Sequence, residues 1–455
     1  MKQIEQGTVG SKISRRSVLK GALAAGVGAG LASSGLAMPA LAAGKRTLKL
    51  TMPDNFMFGP AWAAKEAPKQ DGTWKLAVYN RLQAWKEKYP DVDLQITEVP
   101  WASITQRVIL DAQSGNQSDL VMVNDLNIPK LALGGFLVPL DDMDGKWDEY
   151  NQHLLRGIAS SKGKIYAMPW TTDCRHEMYW KSDFEKAGIK APADTWDAFT
   201  EQLVALKEAG IPNVYSFWSG NSVHTPTQTV FSQLWMLGSD VIDESGKATL
   251  NTPEMLKVFA FYNDLVNVKK VTRTDLVSIS ADDQYDALLL DHKTSVMKGG
   301  SWVWNKIQAA GIEDEIGYFR TPRPTADAKD ATLSGFWACE LPAKDNIDPD
   351  TQKLAFEFAM HIVDAEDQAK LIGDQQGQLP TRPKAVDSPE GKAKGPAWRF
   401  QAAYAGEAGR GMPPAADSGL LFDQIRIAFQ QAITGAAKPE DALKAAETAY
   451  NSQQS

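Results

Sequence analysis

The sequence predicts an α/β protein built on parallel strands with helices on both faces of the sheet. Two observations carry this. Strand-like stretches alternate with stretches of helical period, and one strand is a continuous apolar run of the kind buried on both sides. Thr47-Leu48-Lys49-Leu50-Thr51-Met52 alternates as a first strand, and Pro53-Asp54-Asn55 breaks it. Val78, Leu82, Trp85 and Tyr89 then recur at helical spacing until Pro90. Val92, Leu94 and Ile96 alternate as a second strand. Trp101, Ile104 and Val108 mark a second helix, closed near Ser114-Gly115, and Leu120-Val121-Met122-Val123 is the buried run. In open parallel sheets, ligands sit where strands end and loops begin. Asp54 and Asp125 both lie just after such strands.

The alternation continues along the chain. Ile165–Met168 and Met178–Trp180 read as strands. Asp194-Thr195 opens a helix with Trp196, Phe199, Leu203 and Leu206 on one face. Ser295-Val296-Met297 is a strand leading into Gly299-Gly300-Ser301-Trp302, and Ile316–Phe319 is another. Leu354, Phe358 and Ile362 share one face of a long helix. Leu421, Ile425, Ala428 and Ala432 share a face of a late one. Thr321–Asp330 reads as a surface loop and Asn451–Ser455 as a frayed end. No internal repeat is visible.

The first 42 residues read as an export address rather than as part of the fold. Arg15-Arg16 precedes an uncharged, Ala/Gly-rich run from Gly21 to Gly44, and Ala40-Leu41-Ala42 offers the small-x-small pattern of a signal-peptidase site. Cleavage is expected after Ala42 or Ala43. A permanent anchor is the competing reading, because the run is long enough to span a bilayer; its small residues and closing cleavage pattern favour removal. No cysteine near the cut provides for a lipid anchor. The expectation is an exported periplasmic protein, folded before crossing through the twin-arginine machinery.

Removing residues 1–42 takes away Lys2, Lys12, Arg15, Arg16 and Lys20 against Glu5, so the formal charge of -8 falls to -12. An acidic chain argues against nucleic acid and against anionic membranes. Two cysteines, Cys174 and Cys339, are too few and too far apart for a zinc or CxxC redox motif, but in an oxidising compartment they could pair. The five histidines show no metal-ligand spacing, and no phosphate-binding loop or nucleophile elbow occurs. Neither a metal nor a cofactor is expected. Fourteen tryptophans are many. Some pack the core, and others provide flat faces suited to sugar rings.

Several local patterns converge on one family. Ser114-Gly115-Asn116-Gln117-Ser118-Asp119-Leu120 resembles the turn before a core strand in extracellular solute-binding proteins. Gly163–Pro169, Tyr179–Ile189, Thr195–Phe199, Val296–Trp302 and Leu379-Pro380-Thr381-Arg382 resemble that family's later segments, in order, over nearly all of residues 47–450. The chain is similar to the sugar-binding class of ABC-importer solute-binding proteins, relatives of maltose-binding protein. That resemblance implies a two-lobe periplasmic-binding-protein-like fold of type II, with the ligand cleft between lobes joined by a three-segment hinge. Lobe one would be residues 43–170 plus 340–375, and lobe two 176–335 plus 380–455. The crossings would lie near 170–176, 336–341 and 375–382, which would put Cys174 and Cys339 on adjacent segments. The implied function is non-enzymatic capture of a carbohydrate for delivery to a membrane permease, by a monomer. A non-sugar solute such as a polyamine or organic anion stays open, as does a secreted glycoside hydrolase.

The candidate contacts follow from what sugars need, namely flat faces and bidentate polar groups. Asp54 is a hydroxyl contact or a turn cap, and Asp125 a polar contact after the core strand. Asp173 is a hydroxyl-binding carboxylate or a salt-bridge partner of Arg175. Trp302, after the Gly-Gly turn, is the main stacking candidate. Trp218 and Phe422 are contacts or core, and Trp337 and Arg382 sit at the later crossings. Trp180 and Ser118 depart from the family pattern, the first in a way that would reshape the pocket. Arg175 and Arg382 leave an acidic sugar or sugar phosphate open.

Overall fold

The computed structural model describes residues 45–453 apart from 69–72, 101–102, 158, 365–367, 371–377 and 414. The expected signal segment, Trp101 and part of the third expected crossing lie outside the described residues.

Two mixed sheets carry the fold. The first half follows the predicted order: β1 (Arg46–Pro53), α1 (Thr73–Lys88), β2 (Val92–Val99), α2 (Ile104–Ser114) and β3 (Leu120–Asn124). Then come β4 (Met168–Thr172), β5 (Arg175–Trp180), α3 (Trp196–Glu208), β6 (Tyr215–Ser216), α4 (Asp282–Leu290), β7 (Val296–Gly300), α5 (Val303–Ala310) and β8 (Ile316–Phe319). The last third adds β9 (Phe336–Glu340), α6 (Pro349–Ile362), β10 (Leu379–Pro380), α7 (Pro396–Ala408) and α8 (Ser418–Thr434). Strand order is β10-β4-β9-β3-β1-β2 in the first sheet and β8-β5-β7-β6 in the second.

β3 shows why the first sheet forms. Leu120 and Met122 pack with Leu50, Trp85 and Phe358 on one face. Val121 and Val123 pack with Ile104 and Val108 on the other. A strand buried on both faces has no place for the polar alternation of a one-sided sheet. α2 stops where Gly115 takes a left-handed φ of 72°. At the start of α6 the Asp348 carboxylate accepts a hydrogen bond from the Thr351 N–H at 3.0 Å.

In the two main sheets the parallel expectation holds for β2-β1-β3 and for the β6-β7 pair. β9 runs antiparallel to both β3 and β4, and β5 antiparallel to both β7 and β8. The reason is topological. β4 carries the chain out of the first sheet through Asp173-Cys174 into β5, and β9 brings it back after Ser334-Gly335, so neighbouring connecting strands point opposite ways. The strand expected over Ile165–Met168 begins at its last residue. Lys164-Ile165 instead closes a short hairpin with Ser160-Ser161, across a turn where Lys162 and Gly163 both have positive φ.

The two cysteines are free and fully buried. Cys339 packs with Leu50 and Met168 in the first lobe, and Cys174 with Trp398 and Tyr404 beneath α7, so the pairing left open by sequence is not formed. Trp180 points into the second lobe, where its indole N–H donates to the Leu289 carbonyl at 3.1 Å and its ring stacks on His292. It does not reshape the cleft. The Ser118 hydroxyl bonds that of Thr51 at 2.7 Å, tying the start of β3 to β1.

Candidate functional site

A cleft of about 490 Å³ opens where the carboxyl ends of β1 and β3 meet the β4–β5 crossing and the second lobe. The turn after β1 contributes Asn55, the turn after β3 contributes Asp125, and the crossing contributes Asp173 and Arg175. α4 and α5 supply Asp282, Asp283 and Lys306 from the opposite side, with Trp302 just ahead of α5. Trp337 on β9 completes the first-lobe wall. A roomier groove of about 650 Å³ lies between α1 and α6, but it is remote from every strand end that gathers these polar groups.

At the centre lies a two-acid, one-base cluster. The Arg175 guanidinium ion-pairs with Asp173, and the Gly335 N–H donates to the same Asp173 oxygen at 2.7 Å. The Asp173 N–H in turn donates to the Gly335 carbonyl at 3.1 Å, and the Thr172 hydroxyl does so at 2.9 Å. Outgoing and returning chain are therefore clamped together at the site itself. Asp125 Oδ2 is buried and lacks a hydrogen-bond partner. A Cβ on Gly335 would sit 3.3 Å from Asp173 and 3.4 Å from Asp125, so glycine keeps this corner open. Burial, then the neighbouring Asp173, pushes the Asp125 carboxyl up to about 8, against the pull of Arg175. Burial raises Asp173 too, opposed by Arg175.

Trp302 is half-buried and stands over the Arg175 guanidinium, 5.1 Å from ring centroid to carbon. Its position depends on Gly300, where a Cβ would fall 1.7 Å from the indole. His224 stacks behind it at 6.1 Å and meets Asp282 at 3.0 Å. On the facing wall Trp337, also half-buried, meets Phe56 edge to face at 5.4 Å. One aromatic thus stands on each side of the cleft, with carboxylates between them, an arrangement suited to a polyhydroxylated ring.

Of the eight residues singled out in the sequence, the structure brings four into this cleft: Asp125, Asp173, Trp302 and Trp337. Asp54 is exposed in the tight turn after β1, and its neighbour Asn55 lines the wall instead. Trp218 stacks on Tyr285 at 4.3 Å in the second-lobe core, one layer behind His224. Phe422 is buried against Phe231 on α8's inner face. Arg382 is only 1 % exposed, bound to Glu149 at 2.7 Å and stacked over Tyr150. Trp218, Phe422 and Arg382 left the cleft because a distant partner claimed each of them. His224, Asp282, Asp283 and Lys306 carried no motif. A signal did exist for Gly335, a glycine directly before an apolar strand.

Among the described residues, no group of three or more His, Cys, Asp or Glu is placed to hold a metal. No described helix is long and apolar enough to cross a membrane.

Comparison with known proteins adds a family match, two relatives and two structural neighbours. A family model described as bacterial extracellular solute-binding protein matches residues 80–397. A Brucella abortus protein named as a binding protein is 24 % identical over 250 residues, covering 54 % of this chain; the chain spans 60 % of that relative's length. The mannitol-binding protein of Pseudomonas aeruginosa is 24 % identical over 357 residues, covering 76 % of this chain and 75 % of its own. In fold, the chain is similar to the cyclic α-maltosyl-1,6-maltose binding protein of Arthrobacter globiformis, with TM-score 0.73, 21 % identity, and 90 % and 99 % of the two chains covered. It is also similar to a Thermotoga lettingae ABC-transporter solute-binding protein bound with α-D-tagatose, with TM-score 0.70, 22 % identity, and again 90 % and 99 % covered. These relatives are binding proteins rather than enzymes.

Proposed function

The chain belongs to the bacterial extracellular solute-binding proteins, and from that premise we propose that it captures a carbohydrate between its lobes and delivers it to the membrane permease of an ABC importer. The observation that carries this is the half-buried Trp302 face beside the Asp125–Asp173–Arg175 cluster, opposite Trp337. Asp125 and Asp173 accept hydroxyl protons, Arg175 orients Asp173, and the rings cover the sugar faces. Lobe one is residues 43–170 with 340–375, lobe two 176–335 with 380–455, and the ends of β4, β9 and β10 connect them. Closure is hinge motion about the Asp173–Gly335 clamp, with ligand shifting the population toward the closed form.

The twin arginine at Arg15-Arg16 supports export through the twin-arginine machinery, signal removal near Ala42 and action in the periplasm as a monomer. A hydrolase would need two carboxyl groups free to act on one bond. Here Asp173 is held by Arg175 and the Gly335 N–H, which supports capture without cleavage.

The test is a thermal-shift screen of the processed protein against mono- and oligosaccharides and sugar alcohols. A ligand that binds only the folded state raises the melting temperature by an amount that grows with the logarithm of its concentration above Kd. One sugar should give a concentration-dependent shift that Trp302→Ala abolishes. A shift unaffected by Trp302→Ala would put the site elsewhere.

A further inference from the structure

Which charge can the solute carry? Among the described residues of the cleft wall, four carboxylates (Asp125, Asp173, Asp282, Asp283) face two permanent cations, Arg175 and Lys306. Each cation already has a partner. Arg175 pairs with Asp173 and lies over the Trp302 ring. The Lys306 ammonium donates to Asp283 and Asp286 at 2.7 Å each. His224, the third basic group, is bound to Asp282. Arg382, the other arginine that left an anion open, is buried on Glu149 outside the cleft. Among the four acids, Asp125 is the one without a basic partner. It is 4 % exposed, with Oδ2 unpartnered and no ion pair.

We propose that the cleft selects by charge, admitting uncharged or positively charged solutes and rejecting anions, acidic sugars and sugar phosphates included. The proposal rests on the reading of this cleft as the binding site. An anion is held by bidentate arginine or by a free ammonium. Here it would have to share Arg175, whose Nη1 already holds Asp173, or Lys306 with a carboxylate bound there, and it would meet the remaining acids at close range, where like charges repel strongly. A hydroxyl or an ammonium group instead brings the donor that Asp125 Oδ2 lacks. Protonation does not reverse this. With the proton that burial and Asp173 favour on Asp125, Asp173, Asp282 and Asp283 still outnumber Arg175 and Lys306.

The experiment is calorimetric titration of the processed protein with matched series: glucose, glucosamine and glucuronate; galactose, galactosamine and galacturonate; and the pair putrescine and succinate. In any series that binds, the acid should be about a hundredfold weaker than the neutral or amino member, or weaker still. Asp173→Asn, which frees Arg175, should narrow that gap at least about tenfold. Asp283→Asn, an exposed position that releases one side of Lys306, should narrow it in the same direction without threatening the fold. An acid that binds as tightly as its neutral counterpart overturns the proposal, as does a gap that neither variant narrows. Silence from every sugar together with putrescine binding would sink the carbohydrate reading and keep the charge rule. Succinate binding in its place would sink both.

Discussion

β5 carries two charged residues on one face, two rungs apart, and their fates differ. Glu177 stands opposite Lys298 of β7, and Arg175 stands opposite Gly300. At the Glu177 rung the charges cancel indoors. The ammonium donates to Glu177 at 2.9 Å and to the Thr321 hydroxyl at 2.7 Å, the Tyr215 hydroxyl reaches the other oxygen at 3.2 Å, and both charged side chains are 0 % exposed. At the Arg175 rung the facing residue has no side chain. The guanidinium turns to Asp173 and lies beneath Trp302, at the edge of an open cleft. One ladder thus holds a closed charge pair and an open one, and the difference is the choice of lysine or glycine across the strand. A closed pair fixes structure. An open one leaves polar valence for a visitor.

The largest expected effect tests the closed rung. Lys298→Met leaves the Glu177 carboxylate buried with only hydroxyl partners and should cost about 3–5 kcal/mol of stability. Glu177→Gln combined with Lys298→Met should recover much of it. Denaturant midpoints measure both, and the folded fraction should bind its solute unchanged. A loss of affinity without loss of stability would erase the distinction between the rungs. Next comes the open rung. Gly300→Ala puts a methyl where the Trp302 ring lies. It should cost as much affinity as Trp302→Ala, about 2 kcal/mol or thirtyfold by titration, while stability changes little. If Gly300→Ala alone unfolds the protein, the rung is structural after all.

The remaining effect concerns pH. The Asp125 carboxyl is raised to about 8 in the folded protein from an ordinary 3.8. The native state therefore holds this proton more tightly than the unfolded chain across that window, and the stability it contributes is lost as pH rises from about 4 to 8. Asp125→Asn cannot ionise. Its ligand-free melting temperature should match the parent near pH 4 and exceed it increasingly up to pH 8, by about 2–4 °C for each kcal/mol recovered. The same excess at every pH would show that ionisation of Asp125 is not its source.

Much of the scaffold was legible because its signals are local. β3 announces itself as an apolar run, α1 through Val78, Leu82 and Trp85 on one face, and Trp302 by the glycines before it. The site was legible only where a strand end or crossing delivers the side chain, as for Asp125 and Asp173. Tertiary partners decided the rest. Glu149, 233 residues away, removes Arg382 from the cleft. Tyr285 claims Trp218, and Phe231 packs on Phe422. Asp54 and Asn55 differ only in which way a short turn aims them, which spacing does not encode. The antiparallel connections were invisible for a similar reason, since strand direction depends on which lobe the chain returns from.

The buried cysteines have a practical consequence. Cys174 and Cys339 are both 0 % exposed, and burial pushes both thiols up, so neither presents the thiolate that alkylating reagents need. Toward such a reagent, the folded chain behaves as though it had no cysteine. Asp54→Cys, at an exposed position one residue from the Asn55 wall, would then take a single fluorophore with both native residues in place. A dye at the mouth of the cleft would turn solute capture into an optical signal read in real time.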